Sequence, residues 1–149
     1  VAHSAAAVQR VQAKALGAAE LVNYRRHPDW EKEVLRLTGG RGVDHVIEVG
    51  GPGTLAQSIT AVRIGGHISL IGVLTGLAGE VPTAALMAKQ ARLQGLIVGN
   101  RRHQIDLVRA IGATGLRPVV DRSFALAEIA SAFRYEEAGA HFGKICLEF

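Results

Sequence analysis

The sequence predicts an α/β fold, in which a parallel β-sheet carries helices on both of its faces. Segments rich in Ala, Leu and charged residues alternate along the chain with short runs of β-branched residues, which is the pattern of successive β-α units. The 149 residues are 48% hydrophobic and 20% charged, so the chain has enough apolar material for a well-packed core. We therefore expect a globular protein.

The first half of the chain predicts three strands separated by two helices. The first predicted strand is represented only by its last residues, at Val1. The other two strands are "ELVNY" (20–24) and "VDHVIEV" (43–49). The helices are "AAAVQRVQAKAL" (5–16) and "DWEKEVLRL" (29–37). Ser4 can cap the first helix and Gly17 ends it, whereas Pro28 opens the second helix and Gly39 ends it.

The second half of the chain continues the alternation and closes with a strand. The predicted helices are "TLAQSITAV" (54–62), "TAALMAKQ" (83–90), "QIDLVRAIGAT" (104–114) and "ALAEIASAFRYEEAG" (125–139). The predicted strands are "GGHISLIGV" (65–73), "ARLQGLIVG" (91–99), the short extended piece "RPVVD" (117–121) and "GKICLEF" (143–149). Their order is that expected of a sheet wound with helices.

The composition argues against nucleic-acid and membrane partners. The formal net charge is +4, but the Lys and Arg residues are scattered and aromatic residues make up only 5% of the chain, so stacking platforms for nucleic acid are scarce. No apolar run approaches the roughly 18 residues of a membrane span, and no signal peptide is visible. We therefore expect a cytoplasmic protein that binds a small molecule.

Few side chains in the sequence suggest metal or redox chemistry. Cys146 is the single cysteine, which excludes an internal disulfide and a cysteine-rich zinc site and suits a reducing cytoplasm. The six histidines lack the spacing of a metal site and are interpreted as surface or strand-end residues. Glu48, inside an apolar strand, is predicted to be a buried carboxylate that backbone groups or an arginine satisfy.

A cluster of glycines separates the strand ending at Val49 from the next helix. Gly51, Gly53 and Ala56 match the pattern G-x-G-x-x-A of a pyrophosphate-binding turn. That fingerprint also needs an acid at the end of the next strand, about 20 residues on, but the next acid is Glu80, in a predicted loop. The motif by itself therefore favours a tight turn at the end of a strand.

Three successive strands end in apolar residues beside a glycine. These ends are Val49-Gly50, Ile71-Gly72-Val73 and Ile97-Val98-Gly99. Ligands of open α/β sheets bind at the carboxyl ends of the strands. Three such ends in succession predict a smooth backbone wall that suits a flat ring carrying an amide.

Several segments together resemble one family of enzymes. "AKALGA", "TGGRGVDHVIEVGGPGTL", "RIGGHISLIGVLTG", "ARLQGLIVGNRR" and "GAHFGKI" resemble the C-terminal half of the medium-chain dehydrogenase/reductase superfamily, above all its zinc-type alcohol dehydrogenases and quinone oxidoreductases. The resemblance covers essentially the whole chain. It implies a Rossmann-like sheet that lacks the first β-α unit with its G-x-G-x-x-G turn, and it places "VGGPG" after the fourth strand, beside the nicotinamide ribose. Because the chain also begins at Val1 without a Met, we expect a fragment.

The resemblance also implies a set of cofactor-binding residues. Val49 and Gly50 would line the nicotinamide, Ile71, Gly72 and Val73 would contact its ribose and ring, and the backbone of the run Leu96, Ile97 and Val98 would face the carboxamide. Lys144 corresponds to a basic residue directed at the pyrophosphate. Ser4 stands where NAD-preferring relatives have an Asp. A hydroxyl there admits a 2′-phosphate, so we expect NADP to be preferred, with NAD possible.

The resemblance further implies function and assembly. The expected activity is hydride transfer between NAD(P)(H) and an alcohol, aldehyde, ketone or quinone, with zinc bound by residues outside this chain. The alternatives are a zinc-free quinone or enoyl reductase and a non-catalytic nucleotide-binding or assembly domain. We expect residues 1–116 to be a partial cofactor domain and residues 117–149 to belong to a catalytic domain. We expect strand 91–99 to help form a homodimer or a dimer of dimers. The isolated chain should lack activity.

Overall fold

The computed structural model of the protein describes residues 1–3 and 7–149 and confirms the predicted α/β class. Ser4, the predicted helix cap, lies outside the described residues. The chain divides into two compact units, Val1–Val98 and Gly99–Phe149. Each unit is built around parallel strand pairs.

The first unit contains five strands and four helices among its described residues. Its strands are β1 (Ala2–His3), β2 (Leu21–Val22), β3 (Val43–Glu48), β4 (Val62–Leu70) and β5 (Arg92–Gly95), and its helices are α1 (Ala7–Ala15), α2 (Trp30–Leu37), α3 (Pro52–Ala61) and α4 (Thr83–Ala88). Strands β3, β4 and β5 form one parallel sheet in that order, whereas β1 and β2 form a separate pair.

The order of the strands leaves a gap in the first unit. β1 and β3 are not paired with each other, and residues of both strands, among them Ala2 and Val46, line a cavity of about 900 Å³. This arrangement fits the prediction that a β-α unit of the sheet lies outside these residues.

Two groups of buried side chains hold the first unit together. In one, Ile59 of α3 packs with Val62 and Ile68 of β4, and all three are fully buried. In the other, Trp30 of α2 packs with Val22 of β2. Because α3 contributes to the layer over β3 and β4, it fixes the position of the turn between β3 and α3.

The second unit contains two helices and one pair of strands. Its elements are α5 (Arg101–Thr114), β6 (Val120–Ala125), a 3-10 turn (Leu126–Glu128), α6 (Ile129–Glu137) and β7 (Lys144–Glu148). The side chain of Asn100 caps α5 by accepting a hydrogen bond from the His103 amide at 3.0 Å. This cap explains why the helix begins at Arg101, earlier than the predicted start at residue 104.

Several predicted strands have different bounds in the structure, and β4 covers Val62–Leu70 in place of the predicted 65–73. Two further strands show how a partner determines strand length. The run 91–99 forms a regular strand only over Arg92–Gly95, because its partner β4 ends at Leu70, which pairs with Gly95. In contrast, β6 extends past the predicted 117–121 to Ala125, because β7 offers it a partner as far as Glu148. In both cases the partner strand sets the length.

No helix among residues 1–3 and 7–149 combines the length and the apolar character needed to cross a bilayer.

Candidate functional site

The carboxyl ends of β3, β4 and β5 lie side by side at one edge of the sheet. Glu48 pairs with Leu70, and Leu70 pairs with Gly95. The segments that leave these strands begin at Val49, Ile71 and Leu96. The structure therefore brings together the three apolar strand ends that the sequence predicts to form a ligand surface.

The turn after β3 is organised by a buried carboxylate. Glu48 is 3% exposed, and its Oε1 accepts hydrogen bonds from the amides of Gly50 at 2.7 Å and Gly51 at 3.0 Å. The same oxygen accepts from the hydroxyl of Thr54 at 2.6 Å, and Oε2 accepts from the hydroxyl of Ser58. Backbone groups and hydroxyls thus satisfy the buried Glu48 carboxylate, as the sequence predicted.

These hydrogen bonds determine whether the amides of the glycine cluster are free to bind a pyrophosphate. Besides the Gly50 and Gly51 amides, which Glu48 engages, the Gly53 amide donates to the hydroxyl of Thr75 at 2.8 Å. A pyrophosphate-binding turn needs such amides free for the ligand. The turn is therefore a tight connection between β3 and α3, and Gly51 supports it with a φ of 87° that favours glycine.

The loop after β4 is bound closely to the turn after β3. The backbone carbonyl of Glu48 accepts from the amides of Ile71 at 2.8 Å and Gly72 at 3.1 Å. Thr75 donates both its amide and its hydroxyl to the Gly50 carbonyl, each at 2.8 Å. A Cβ at Gly72 would overlap the backbone of Val49. Glycine at position 72 is therefore required for the two loops to touch.

The surface presented by these two loops is apolar. Val49, Ile71 and Val73 are 48%, 50% and 52% exposed. Half-exposed aliphatic side chains on a fixed backbone suit the face of a planar ring. The two loops thus present three half-exposed aliphatic side chains at the carboxyl edge of the sheet.

The segment after β5 is the most open part of the predicted site. The Leu96 amide donates to the Leu70 carbonyl at 2.9 Å, which continues the ladder by one residue. Ile97 and Val98 are then 92% and 89% exposed. Ile97 and Val98 thus follow the end of β5 and lie outside the regular sheet.

For two of the predicted site residues, Lys144 and Ser4, the described part of the structure shows no contact with this surface. Lys144 is exposed at the start of β7 and belongs to the second unit. Ser4 lies outside the described residues. Their assignment to the cofactor site stays a prediction.

The described residues do not fit a catalytic zinc. No group of three or more His, Cys, Asp or Glu residues placed to hold a metal ion occurs within 1–3 and 7–149. The histidines His45 and His67 do lie together: the Nε2 of His45 lies 2.7 Å from the hydroxyl of Ser69, and its ring packs edge-on against His67. This contact is a cross-strand polar pair on the sheet.

Sequence reasoning missed the hydroxyl side chains that hold the site. Thr54 and Ser58 lie one turn apart on α3, on the face that meets Glu48, so their spacing after a buried acid was the available signal. Thr75 had no such local signal, because it joins Gly50 and Gly53 across the fold.

Comparisons with known proteins agree with this geometry. The family model described as zinc-binding dehydrogenase matches residues 1–113. A zinc-type alcohol dehydrogenase-like protein of Schizosaccharomyces pombe is 37% identical over 145 residues, which is 91% of this chain and 40% of that protein.

Solved structures show the same likeness. A candidate alcohol dehydrogenase from Sinorhizobium meliloti 1021 matches with a TM-score of 0.89 and 40% identity over 99% of this chain and 42% of its own. An NAD-dependent alcohol dehydrogenase matches with a TM-score of 0.84 and 34% identity over 99% of this chain and 43% of its own. The chain spans about 40% of the length of these proteins. It therefore belongs to the zinc-binding dehydrogenase family, as the C-terminal half of a medium-chain dehydrogenase/reductase.

Proposed function

We propose that these residues bind the nicotinamide half of the cofactor in an NAD(P)(H)-dependent oxidoreductase that acts on an alcohol–carbonyl pair. The observation that carries this proposal is the apolar surface of Val49, Ile71 and Val73, built on strand ends that touch through Gly72. Membership of the dehydrogenase family supports the same class of reaction. The activity is that of a longer protein, since the chain spans only part of its relatives.

The residues of the site have the properties that a nicotinamide needs. Bound NAD(P)(H) supplies the hydride chemistry itself. Val49, Ile71 and Val73 offer apolar contact to the ring and its ribose and exclude water from one side. We assign the backbone of the run 96–98 to the carboxamide, and Lys144 to the pyrophosphate.

A pair of substitutions tests this surface in the complete protein. Val73→Trp covers the proposed ring site with an indole, so NADPH should bind at least tenfold more weakly, a loss of about 1.4 kcal/mol or more. Leu77→Trp is the matched control, because Leu77 is 91% exposed on the same loop and is not assigned to the cofactor. Equal binding by both variants in titration calorimetry would contradict the proposed site.

The cofactor preference is proposed to favour NADP over NAD. Ser4 lacks the negative charge with which the Asp of NAD-preferring relatives would repel a 2′-phosphate. Ser4→Asp should shift the ratio of the two specificity constants at least tenfold toward NAD. A ratio that is near one before and after the change would overturn the preference.

Zinc dependence is proposed for the complete protein, with ligands outside these residues. A zinc-type alcohol dehydrogenase is the preferred assignment, and a zinc-free quinone or enoyl reductase of the same superfamily is the alternative. Metal analysis of the complete protein separates them, together with turnover of NADPH against aldehydes, ketones and quinones. Turnover of none of these substrates would favour a non-catalytic nucleotide-binding domain.

The proposed homodimer uses the exposed edge formed by residues 91–99. Ile97 and Val98 are almost fully exposed just after β5, and an exposed apolar segment at a sheet edge invites pairing with a second copy. Leu96→Pro removes the amide that donates to Leu70 and should abolish the dimer or make the chain insoluble. Sedimentation of an unaltered dimer would place the interface elsewhere.

We retain the division at residues 116 and 117, with a partial cofactor domain before it and a return segment of the catalytic domain after it, as a proposal. The isolated chain should lack dehydrogenase activity and bind NADPH weakly. Sub-micromolar binding of NADPH by the isolated 149 residues would contradict this expectation.

A further inference from the structure

Glu48 is connected to both loops of the proposed nicotinamide surface. Its carboxylate holds the amides of Gly50 and Gly51 in the turn after β3. Its backbone carbonyl holds the amides of Ile71 and Gly72 in the loop after β4. A single residue thus fixes the backbone on both sides of the apolar surface.

The side chain of Glu48 is itself held in one orientation. Thr54 and Ser58 donate hydroxyl hydrogen bonds to its two different oxygens, so the carboxylate is anchored to α3 as well as to the turn. Helix α3 is in turn packed by Leu55 and Ile59 into the core. The rigid part of the unit therefore determines where Val49 lies, through Glu48.

We propose that Glu48 is a positioning residue, which sets the spacing between Val49 and Ile71–Val73 so that they hold the nicotinamide ring in the pose for hydride transfer. This inference rests on the proposed function of the same surface. Glu48 touches neither the cofactor nor the substrate in this proposal. Its effect is transmitted through the hydrogen-bonded backbone of the two loops.

The proposal depends on the reach of the side chain. An aspartate at position 48 keeps the charge but is shorter by one methylene, so it cannot meet the turn amides and the α3 hydroxyls together. A glutamine keeps the length, and its carbonyl oxygen can accept the same hydrogen bonds from Gly50, Gly51 and Thr54, while its amide group faces Ser58. Glutamine should therefore replace Glu48 better than aspartate does.

The test compares, in the complete protein, the binding of NADPH with the binding of ADP, which lacks the nicotinamide half. For Glu48→Asp we expect the dissociation constant of NADPH to rise about tenfold and kcat to fall, with binding of the nicotinamide-free probe ADP unchanged. For Glu48→Gln we expect NADPH binding within about threefold of the wild type. ADP is the readout that separates positioning from general damage, because a loss of fold would weaken both ligands.

A second pair of variants keeps the test decisive if Glu48→Asp fails to fold. Thr54→Val removes one donor to the carboxylate with little change in shape, and NADPH binding should weaken about threefold while ADP binding stays constant. Thr60→Val makes the same change on the same helix, at a hydroxyl that donates only to the carbonyl of Ala56. This control should leave both ligands unaffected.

The possible failures can be told apart. If the wild type binds and oxidises NADPH but the Glu48 and Thr54 variants bind it normally, the positioning role is wrong and the proposed function stands. If Glu48→Asp and Thr54→Val weaken NADPH and ADP equally, Glu48 has only a structural role. If the wild type binds no nicotinamide cofactor at all, both the positioning role and the proposed function are wrong.

Discussion

The two compact units differ in how much of their own core they contain. In Val1–Val98, Ile59, Val62 and Ile68 are completely buried. In Gly99–Phe149, Ala132 is the only buried hydrophobic residue and Phe133 is 62% exposed. Helix α5 has no buried residue.

This difference indicates how each unit is stabilised. The first unit buries aliphatic side chains between α3 and the sheet, so it has a hydrophobic core of its own. The second unit is held by the ladder between β6 and β7 and by polar contacts around Asp121. Trp30 is the single tryptophan and lies in the core of the first unit, so its fluorescence reports the unfolding of that unit.

The largest expected effect comes from truncating the core of the first unit. Ile59→Ala removes a completely buried side chain and should lower the free energy of unfolding by about 3 kcal/mol. Phe133→Ala in the second unit removes a larger but exposed ring and should cost less than about 1 kcal/mol. Urea denaturation followed by Trp30 fluorescence and amide exchange measures both changes. Equal losses would contradict the difference between the units.

The second comparison makes one substitution, glycine to alanine, in each unit. Gly72→Ala forces a Cβ into the backbone of Val49 and should destabilise the first unit by about 2 kcal/mol. Gly112→Ala lies inside α5, where a Cβ has open space, and should stabilise that helix by about 0.7 kcal/mol. The same denaturation measurement should give opposite signs, and two changes of the same sign would refute this reasoning.

Much of the fold could be predicted from the sequence because local patterns determine it. The alternation of apolar strands and helices predicted the order of the elements, and the apolar-glycine ends of the strands indicated the sheet edge where these ends meet. The lengths of β5 and β6 could not be predicted, since the partner strands determine them. The hydrogen bonds of Thr75 to Gly50 and Gly53 could not be predicted either, because they join residues that are distant in the sequence.

A third prediction concerns the polar contacts that hold the second unit. The Tyr135 hydroxyl donates to Asp121 at 2.7 Å, and the Phe142 amide donates to the other Asp121 oxygen at 3.0 Å. Tyr135→Phe should destabilise this unit by about 1 kcal/mol and increase hydrogen exchange at the Phe142 amide. Ser131→Ala, on the same helix with an exposed hydroxyl, is the control and should change neither. Unchanged exchange at Phe142 would contradict the proposed coupling.

The smallest expected effect is on acid stability, where each unit has one aspartate with a lowered pKa. The Arg41 and Arg63 side chains lower the pKa of Asp44 to about 2 in the first unit. In the second unit, the Phe142 amide, and next the Tyr135 hydroxyl, lower the pKa of Asp121.

Because both carboxyl groups have lower pKa values in the folded state than the ordinary 3.8, each stabilises its unit above that pH and loses this effect as the pH falls through its folded-state pKa, which for Asp44 is about 2. The stabilising effects of Asp44 and Asp121 should differ in how strongly they depend on salt. The Asp44 contacts are exposed ion pairs that 1 M salt screens. The pKa of Asp121 is lowered mainly by hydrogen bonds from uncharged donors, and the charges of Arg122 and His141 contribute less.

We therefore expect 1 M NaCl to reduce the acid-dependent loss of stability more strongly in the first unit than in the second. For Asp44→Asn, the acid-induced loss of stability that Trp30 fluorescence follows should no longer depend on salt. The reason is that the asparagine side chain does not take up a proton in this pH range. Asp121→Asn should change only the acid dependence of amide exchange in the second unit. If salt acted equally on both units, the distinction between an ion-paired and a hydrogen-bonded aspartate would be wrong.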